Sequence, residues 1–348
     1  MAVVTGYGDI SPAVAAWCNV QMLKRGMPYL TFEKFGQTFM MPTNNTQVAK
    51  FRRYYLSGAT GAAGTGTGVF NIPLALTPLV EGVTPSGSRL ANTDYTATLQ
   101  QYGDYVTITD VVEDTHPDPI LQIASDALGE SAAVTVETLR YNVLKAGTNV
   151  FYGNAVAGRS SVITTITLAD QRRVTSALNR QNARKISQVI ASTPSYNTRS
   201  VEASYFAVTH PDMETAIRNL TGFKPVADYG PHTTPFESEI GSVEQVRYLA
   251  TTVAAPFVDS GGTAVTNNLI FTTANTAADI YPILYFGRDA FGIVALKGKN
   301  AMTPMVVNPK PAAGDPLGQR GTVGWKLYTT TIILQDAYMA RLEVGATA

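Results

Sequence analysis

Residues 118–147, DPILQIASDALGESAAVTVETLRYNVLKAG, decide the fold because they predict one long helix around which the rest of the chain must pack. Pro119 suits the first helical turn, where its missing N–H would have no partner anyway. Acidic residues precede basic ones along the stretch, in the order that the helix dipole favours. Gly147 is a typical residue just beyond a helix C-terminus. At ~1.5 Å per residue the helix would be about 45 Å long, which is longer than most compact domains need.

One face of this helix should be buried, because apolar or small residues recur along it at helical spacing. The predicted members of that face are Ile120, Ile123, Ala124, Ala127, Leu128, Ser131, Val134, Leu139 and Val143. Most other segments have the alternating pattern of strands, so the sequence predicts an α+β protein.

The whole chain is neutral and poor in charged residues. It has 26 basic and 26 acidic residues among 348, and its charged fraction of 15% lies below the usual value of roughly a quarter. A domain that recognises DNA is usually basic, so specific DNA recognition is not expected. A net charge of zero also removes a brake on self-association. We therefore expect much of the surface to be buried against other copies; a charge-poor secreted β protein is the alternative.

A single cysteine, Cys18, excludes an intrachain disulfide and a cysteine zinc cluster. It could be a nucleophile, although a small buried apolar residue is the commoner role of a lone cysteine. The N-terminus lacks a signal-peptide core, and no apolar run reaches the ~20 residues that a membrane span needs. We expect a protein that is made in the cytoplasm and does not associate with membranes.

The first third of the chain predicts an arm followed by a projecting hairpin. Residues 1–48 contain scattered aromatics without a regular period, which fits either an arm on a neighbouring surface or packing on its own domain. Val48–Leu56 predicts a strand, and residues 95–109 predict a second, long strand with a break at Gly103. Residues 49–112 would form a two-stranded projection, which is marginal in water unless something supports it. The glycine-rich stretch 58–68 lacks the Gly-Lys-Ser/Thr ending of a phosphate loop.

The remainder predicts a second α/β unit over residues 154–286 and a return to the first domain from Gly287. The expected elements are a helix at 168–184 capped by Thr167, a strand at 204–208, a short helix opened by Pro211, strands at 243–252, 268–273 and 279–286, a turn-rich connection at 315–326, and a final strand at 338–344.

Charge is sorted along the chain. Residues 104–137 hold eight acids and no lysine or arginine, whereas residues 154–200 hold seven bases and one acid. Pairing between subunits would explain this sorting. The candidate contact joins Arg52 and Arg53 of one copy to acids of another, and those acids are Asp104, Asp110, Glu113 and Asp114. An exposed ion pair contributes only ~0–1 kcal/mol, so such pairs would set register more than strength.

The chain offers no recognisable catalytic or cofactor site. The three histidines, His116, His210 and His232, have no helical i+4 histidine partner and no neighbouring cysteine, so the sequence predicts no metal site. There is no G-x-S-x-G nucleophile elbow. Glu113 and Asp114 could serve acid–base chemistry, but acidic residues are also expected just before a helix, where the helix dipole stabilises them. An enzyme is therefore the least favoured interpretation.

A set of short phrases occurs in an order that resembles the major capsid proteins of tailed phages, in particular the family typified by the coliphage N4 capsid protein. The phrases are FEKF (32–35), FRRY (51–54), EGVTP (81–85), QYGDY (101–105), ITD (108–110), FYG (151–153), HP (210–211), GSV (241–243), VR (246–247), FGR (286–288), GQRG (318–321) and GWK (324–326).

The resemblance implies the Hong Kong 97-like capsid fold. It would comprise an N-terminal arm (1–48), an extended β-hairpin loop (49–112), a peripheral domain with a long spine helix (113–153 and 287–348) and an axial domain (154–286). The implied function is a virion protein that assembles in the host bacterial cytoplasm into hexamers and pentamers of an icosahedral shell. Its implied partners are copies of itself, scaffolding, portal and decoration proteins, and packaged double-stranded DNA contacted non-specifically. The alternative is another self-assembling virion or surface-layer protein.

Overall fold

The structure, a computed structural model, describes residues 29–57, 78–84, 87, 89–115, 120–190, 198–229, 236, 238–263, 271–274, 276–296, 303–307 and 316–347. Within these residues the α-helices are α1 (Asp110–Thr115), α2 (Ile120–Leu144), α3 (Leu168–Arg180) and α4 (Glu214–Arg218). The strands are β1 (Gln37–Met41), β2 (Val48–Ser57), β3 (Arg89–Thr98), β4 (Gln100–Thr109), β5 (Val150–Tyr152), β6 (Ile186–Ile190), β7 (Thr198–Thr209), β8 (Phe223–Pro225), β9 (Glu239–Val243), β10 (Val246–Ala250), β11 (Ile280–Phe286), β12 (Phe291–Leu296), β13 (Thr303–Val307), β14 (Arg320–Ile333) and β15 (Met339–Gly345).

The predicted long helix is confirmed as α2, which has 25 residues. Asp118 and Pro119, the predicted start, lie outside the described residues. Gly147 follows the helix, but its backbone is not left-handed. Space explains the glycine instead, because a Cβ atom there would lie 2.9 Å from Asp336 Oδ1 and 3.2 Å from Met339 Cε.

The buried face of α2 differs from the predicted one. Leu128, which was predicted, is buried, but Ile123 and Val134 are exposed. Glu137 and Arg140 instead lie in the buried face and bond to each other. The predicted set also left out the buried Ala132, Val136 and Leu144, of which Ala132 and Val136 cluster with Leu128.

The first sheet packs on α2. Its strand order is β1-β12-β14-β13, and β4 also pairs with β14. Ile108, Val323, Trp325 and Leu327 form a cluster with the buried face of the helix. The prediction of a turn-rich connection at 315–326 is wrong for most of its length, because β14 begins at Arg320. Gly324, a turn signal in the sequence, gives room to a neighbouring strand: a Cβ atom there would lie 2.8 Å from Tyr105 Cβ.

The predicted hairpin is formed by β2 and β3, which pair without interruption from Val48↔Thr98 to Ser57↔Arg89. The break that the sequence predicted at Gly103 lies at Leu99 instead. Beyond Leu99 the chain joins the first sheet, and β4 pairs with β14 in continuous register through Gly103↔Lys326. The hairpin strands therefore end at Thr98, whereas the predicted extended loop runs to residue 112.

The second sheet has the strand order β5-β15-β11-β7-β10-β9-β8, with β6 paired to β7. The strands predicted at 279–286 and 338–344 are confirmed as β11 and β15, and all seven residues of β11 are buried. The single strand predicted at 243–252 is wrong: β9 and β10 form a hairpin whose turn holds Glu244 at φ 52°. Residues 264–270 lie outside the described part of the chain. The start of the strand predicted at 268–273 is among them. The sheet contains β5 and β15, which lie outside residues 154–286, as well as strands from within that predicted unit.

Local signals placed the helices of this second unit. The Thr167 side chain accepts a hydrogen bond from the Asp170 N–H, as predicted for an N-cap, and α3 ends at Arg180. Pro211 opens a short 3-10 turn that leads into α4. One buried cluster, with Val174, Leu178 and Ile217, lies on one side of the sheet, and a second, with Phe32 and Tyr141, lies on the other.

Candidate assembly surfaces

The hairpin has one face turned to its own chain and one turned outward. Odd-numbered residues are on the side of β1, β12 and β14, where Ala49 and Ala97 are buried, whereas the even-numbered residues are exposed. Leu56 and Leu90 lie opposite each other on the exposed face, and Tyr54 shares that face and is 61% exposed. Large apolar side chains on an open two-stranded ribbon are typical of a surface that another molecule covers.

Arg52 lies on the exposed face and already has a partner within the hairpin. Its guanidinium donates to both carboxylate oxygens of Asp94 at 2.7 and 2.8 Å, and the two residues are directly opposite in register. These hydrogen bonds lower the pKa of Asp94 to about 2, and they raise the pKa of Arg52. The predicted site residue Arg52 is therefore paired inside its own chain.

Arg53 points the other way, toward the body of the subunit, and its guanidinium donates a hydrogen bond to Gln335 Oε1. Neighbouring residues of a strand project to opposite faces, so Arg52 and Arg53 do not form one contact patch. The sequence named both because they are adjacent, and the strand geometry separates them.

The predicted acidic partners lie on β4 and α1. The carboxylates of Asp104 and Asp110 each accept a hydrogen bond from the next backbone N–H at 2.8 Å. Within the part of the chain that the structure describes, neither forms an ion pair. Glu113 and Asp114 belong to α1, and the side chains of both lie outside the described part. Among the described side chains, no ion pair joins Asp104 or Asp110 to Arg52.

Three arginines of the basic run 154–200 have acidic partners in the same chain. Arg159 pairs with the buried Glu343 at 2.7 Å, Arg172 pairs with Glu244, and Arg173 pairs with Asp170 at 3.4 Å.

Three further bases of that run lie at or just beyond the C-terminus of α3, and a fourth, Arg199, lies in β7. Arg180, Arg184 and Lys185 have no ion pair with any described residue, and Arg180 and Arg184 are exposed. Arg288 joins them, because its backbone N–H donates to the Arg184 carbonyl at 2.7 Å. Its guanidinium lies 3.6 Å from the exposed Asp289. We call Arg180, Arg184, Lys185 and Arg288 the basic cluster.

A cleft of 770 Å³ borders the basic cluster, and Arg180 forms part of its wall. Tyr95 of the hairpin and residues 333–337, between β14 and β15, form the opposite walls. Arg180 therefore lies where the hairpin meets the body of the subunit.

The first sheet has an outer face that the chain covers only in part. The hairpin base packs over the end that contains Val294, Tyr328 and Ile332. Farther along, Tyr105 and Met305 lie on either side of Gly324 and are 68% and 53% exposed. This part of the sheet, like the hairpin, presents apolar side chains to the outside.

The first described residues are anchored to α2 by a buried charge network. Phe32 is fully buried, and its backbone N–H donates to Glu137 Oε2 at 3.0 Å. Arg140 Nη1 donates to Glu137 Oε1 at 2.6 Å and to Glu33 at 3.3 Å. Burial raises the pKa of Glu137, and Arg140 opposes that shift. Sequence reasoning missed this network, although a glutamate three residues before an arginine on a helix was a usable signal.

The histidine nearest to acidic and tyrosine side chains among the described residues is His210. His210 Nδ1 lies 3.0 Å from Asp212 Oδ2, and Tyr281 donates to the same carboxylate oxygen at 2.7 Å. Among the described residues there is no group of three or more histidine, cysteine, aspartate or glutamate side chains suited to a metal ion. None of the described helices is both long and apolar enough to cross a membrane. Cys18, His116 and His232 lie outside the described residues.

A family model described as "Phage capsid protein" matches residues 92–342, which is well over half of the chain. Curated proteins give no match to this sequence.

Solved structures of similar fold come from phage heads. The capsid of Ralstonia phage GP4 is similar with a TM-score of 0.63 at 14% identity, over 90% of this chain and 87% of that chain. The head of Helicobacter pylori bacteriophage KHP40 gives 0.58 at 12% identity, over 89% and 87%. The capsid of cyanophage Pam1 gives 0.52 at 16% identity, over 93% and 92%. At these identities the similarity concerns the fold.

Proposed function

This chain belongs to the phage capsid protein family and is a major capsid protein of the head shell, and we propose that it has the Hong Kong 97-like fold of the N4-type branch. The family match over residues 92–342 carries the functional conclusion. The proposed fold is supported by the mixed α+β architecture, which has a 25-residue helix packed on the first sheet and an extended hairpin. Its assignment to the N4-type branch rests on the ordered phrases of the sequence.

The proposed division of the chain follows from that fold. Residues 1–48 are the N-terminal arm, 49–112 the extended loop, 113–153 with 287–348 the peripheral domain, and 154–286 the axial domain. The hairpin β2–β3 supports the loop, and the packing of α2 on the first sheet supports the peripheral domain. The anchor between Glu33 and Arg140 supports an arm whose last part is fixed on the helix.

The proposed mechanism is assembly without catalysis. Copies associate into hexamers and pentamers, which close an icosahedral shell around double-stranded DNA. A stable interface buries ~800 Å² on each partner, and the exposed apolar residues of the hairpin and of the outer sheet face would form part of it. Contact with DNA would be non-specific and through its phosphates. Assembly would take place in the host cytoplasm with scaffolding, portal and decoration proteins as further partners, and the virion is the final location.

The predicted contact between Arg52 and Arg53 of one copy and Asp104, Asp110, Glu113 and Asp114 of its neighbour stays a proposal. For Arg52 to take part, its guanidinium would have to exchange or share Asp94, because that ion pair is already formed in the hairpin. Charge reversal at both arginines tests the contact. It should impair assembly while leaving the subunit folded, and normal shells from this variant would refute it.

Electron microscopy of negatively stained protein tests the proposed function as a whole. The chain is expressed alone and together with the neighbouring genes, and the products are imaged. Closed polyhedral shells of uniform size are expected. Uniform small oligomers under both conditions would contradict a shell protein, and tubes or sheets in both would favour the surface-layer alternative.

A further inference from the structure

We infer that the basic cluster (Arg180, Arg184, Lys185 and Arg288) is an interaction surface whose partner is the acidic edge of a second copy of this chain. The acidic edge consists of Asp104 on β4 and Asp110 at the start of α1. The inference rests on the proposed function, and it names the residues through which neighbouring subunits pair.

The basic cluster concentrates positive charge that the subunit itself leaves uncompensated. Arg180, Arg184 and Lys185 lie at or just beyond the end of α3, and a backbone hydrogen bond joins Arg288 to Arg184. Among the described residues the only anion paired with these four is Asp289, at 3.6 Å from Arg288. In contrast, Arg159, Arg172 and Arg173, in the same stretch of sequence, each have an acidic partner. Like charges held together repel each other, so an arrangement of this kind is stabilised when an anionic surface covers it.

The acidic edge is complementary in charge and similarly uncompensated. The carboxylates of Asp104 and Asp110 accept backbone hydrogen bonds but have no ion pair among the described residues. Asp104 lies opposite Trp325 on β14, and Thr109, the residue before Asp110, lies opposite Arg320. β14 is the only described strand paired with β4, so the other edge of β4 has no partner strand among the described residues.

The two surfaces belong to different parts of one subunit. The basic cluster borders the cleft beside Tyr95 and Gln335, whereas the acidic edge flanks the part of β14 around Trp325. A pair of different surfaces on identical chains produces a head-to-tail contact, and such contacts close into a ring when the rotation between subunits permits. Part of the sorting of charge along the sequence then follows from ring formation: Asp104 and Asp110 of the acidic run face Arg180, Arg184 and Lys185 of the basic run across a subunit boundary.

This pairing differs from the one predicted from sequence in its basic partner. Arg52 and Arg53 are already bonded to Asp94 and Gln335, so recruiting them would exchange one contact for another. Arg180 and Arg184 have no such contact among the described residues to give up. Guanidinium groups also suit carboxylates by their fork geometry.

Charge reversal with rescue tests the pairing. One variant carries Arg180→Glu and Arg184→Glu, the second carries Asp104→Arg and Asp110→Arg, and the third combines all four substitutions. We expect each double variant to form no shells at a concentration at which the wild-type chain assembles completely, with melting temperatures unchanged. The combined variant should assemble again, because every pair is restored with opposite polarity. Lys224→Glu, an exposed base on β8, is the matched control and should assemble normally.

Each other outcome overturns the inference. Normal shells from either double variant would show that its surface is not a subunit contact. Rescue of the Asp104→Arg and Asp110→Arg variant by charge reversal at Arg52 and Arg53, but not at Arg180 and Arg184, would restore the sequence-based pairing. Shells that form normally but fail to retain DNA after the Arg180→Glu and Arg184→Glu changes would assign the basic cluster to nucleic acid. Failure of the wild-type chain itself to form shells would count against the proposed function, so the two failures are distinguishable.

Discussion

The second sheet is completed by the chain itself, whereas the hairpin is completed on one side only. Every residue of β11 is buried, and hydrophobic clusters lie on both faces of that sheet. On the hairpin, Tyr54 and Leu90 are 61% and 64% exposed. They remain exposed although the two strands are hydrogen-bonded to each other in continuous register. The contrast predicts two roles: residues of the second sheet stabilise one subunit, and the exposed residues of the hairpin contact a neighbouring subunit.

This separation predicts that the effect of a substitution, on folding stability or on association, depends on the region in which it lies. Changes in the second sheet should lower the free energy of unfolding of the unassembled chain. Changes on the outward hairpin face should leave that free energy almost unchanged and act on association. The expected losses of folding stability therefore decrease from the core outward, and a substitution that violates the order would break the comparison.

The largest loss is expected for Phe286→Ala in β11. The Phe286 ring contacts Phe291 at a centroid distance of 5.2 Å and Phe32 at 6.1 Å, and it is fully buried. Truncation should lower the free energy of unfolding by about 3–5 kcal/mol, because it removes apolar burial and leaves a cavity. Denaturant unfolding of the unassembled chain measures the loss. Phe271→Ala, at a ring that is 38% exposed, is the control and should cost clearly less.

The second-largest loss is expected for Arg140→Met. It should lower the free energy of unfolding by roughly 3 kcal/mol, because it leaves the Glu137 carboxylate buried without its cation. The value lies at the low end for broken buried pairs, since Glu137 can take up a proton and its pKa is already raised by burial. Combining the change with Glu137→Gln should recover much of the loss, because the Phe32 N–H retains an acceptor. A double variant as unstable as Arg140→Met alone would show that packing of the arginine stem, and not its charge, holds the arm.

Elements with a strong local pattern were predictable, and features that depend on distant partners were not. The continuous apolar run of β11 and the alternation of β15 identified both strands, and Thr167 identified the start of α3. Within the buried face of α2, the places of Glu137 and Arg140 were not predictable, because these residues are acceptable in a core only as a pair, and pairing is a property of the folded state.

Glycines were a second source of error, because their spacing in the sequence resembles that of turns. In β14 the glycine at 324 makes room for Tyr105. In β4 the glycine at 103 makes room for the Trp325 carbonyl, because a Cβ atom there would lie 2.7 Å from that oxygen. Both glycines therefore serve strand pairing. For the candidate contact, the sequence supplied the sorting of charges but could not tell which arginines the subunit had already neutralised.

A smaller loss, of about 1–2 kcal/mol, is expected for Tyr248→Phe. The Tyr248 hydroxyl donates to Gln171 Oε1 at 2.9 Å and lies 3.1 Å from the Tyr285 hydroxyl, and its removal leaves a buried acceptor unsatisfied. Thermal unfolding measures the change, and shells should still form from the folded fraction. Tyr105→Phe, at an exposed ring on the outer sheet face, should leave the melting temperature unaltered. Equal shifts from both variants would contradict the assignment of the buried hydroxyl to stability.

Leu90→Asp should change the free energy of unfolding of the unassembled chain by no more than ~0.5 kcal/mol, because the side chain is exposed in the isolated subunit. Assembly should nevertheless be lost, since a charge would be buried in an apolar contact. Sedimentation and electron microscopy measure assembly. Val258→Asp, which changes a residue of similar exposure outside the hairpin, is the matched control. Normal shells from Leu90→Asp would show that the outward hairpin face stays uncovered.

The smallest effect is expected from the ion pair between Arg52 and Asp94, which is exposed and adds little to stability at neutral pH. Hydrogen bonding lowers the pKa of the folded Asp94 carboxyl from 3.8 to about 2. Its contribution is therefore fully present above pH 3.8 and is lost as the pH falls through about 2, because the unfolded chain binds the proton first.

The difference in melting temperature between the wild-type chain and Asp94→Asn should accordingly shrink over that pH range. A carboxyl NMR titration reads the pKa directly, and Arg52→Gln should return it to its ordinary value. If the wild-type Asp94 already titrates near 3.8, the pair is not formed in solution. Arg52 would then be available to a neighbour's carboxylate, and the outward hairpin face would contribute charge as well as apolar surface to the subunit contact.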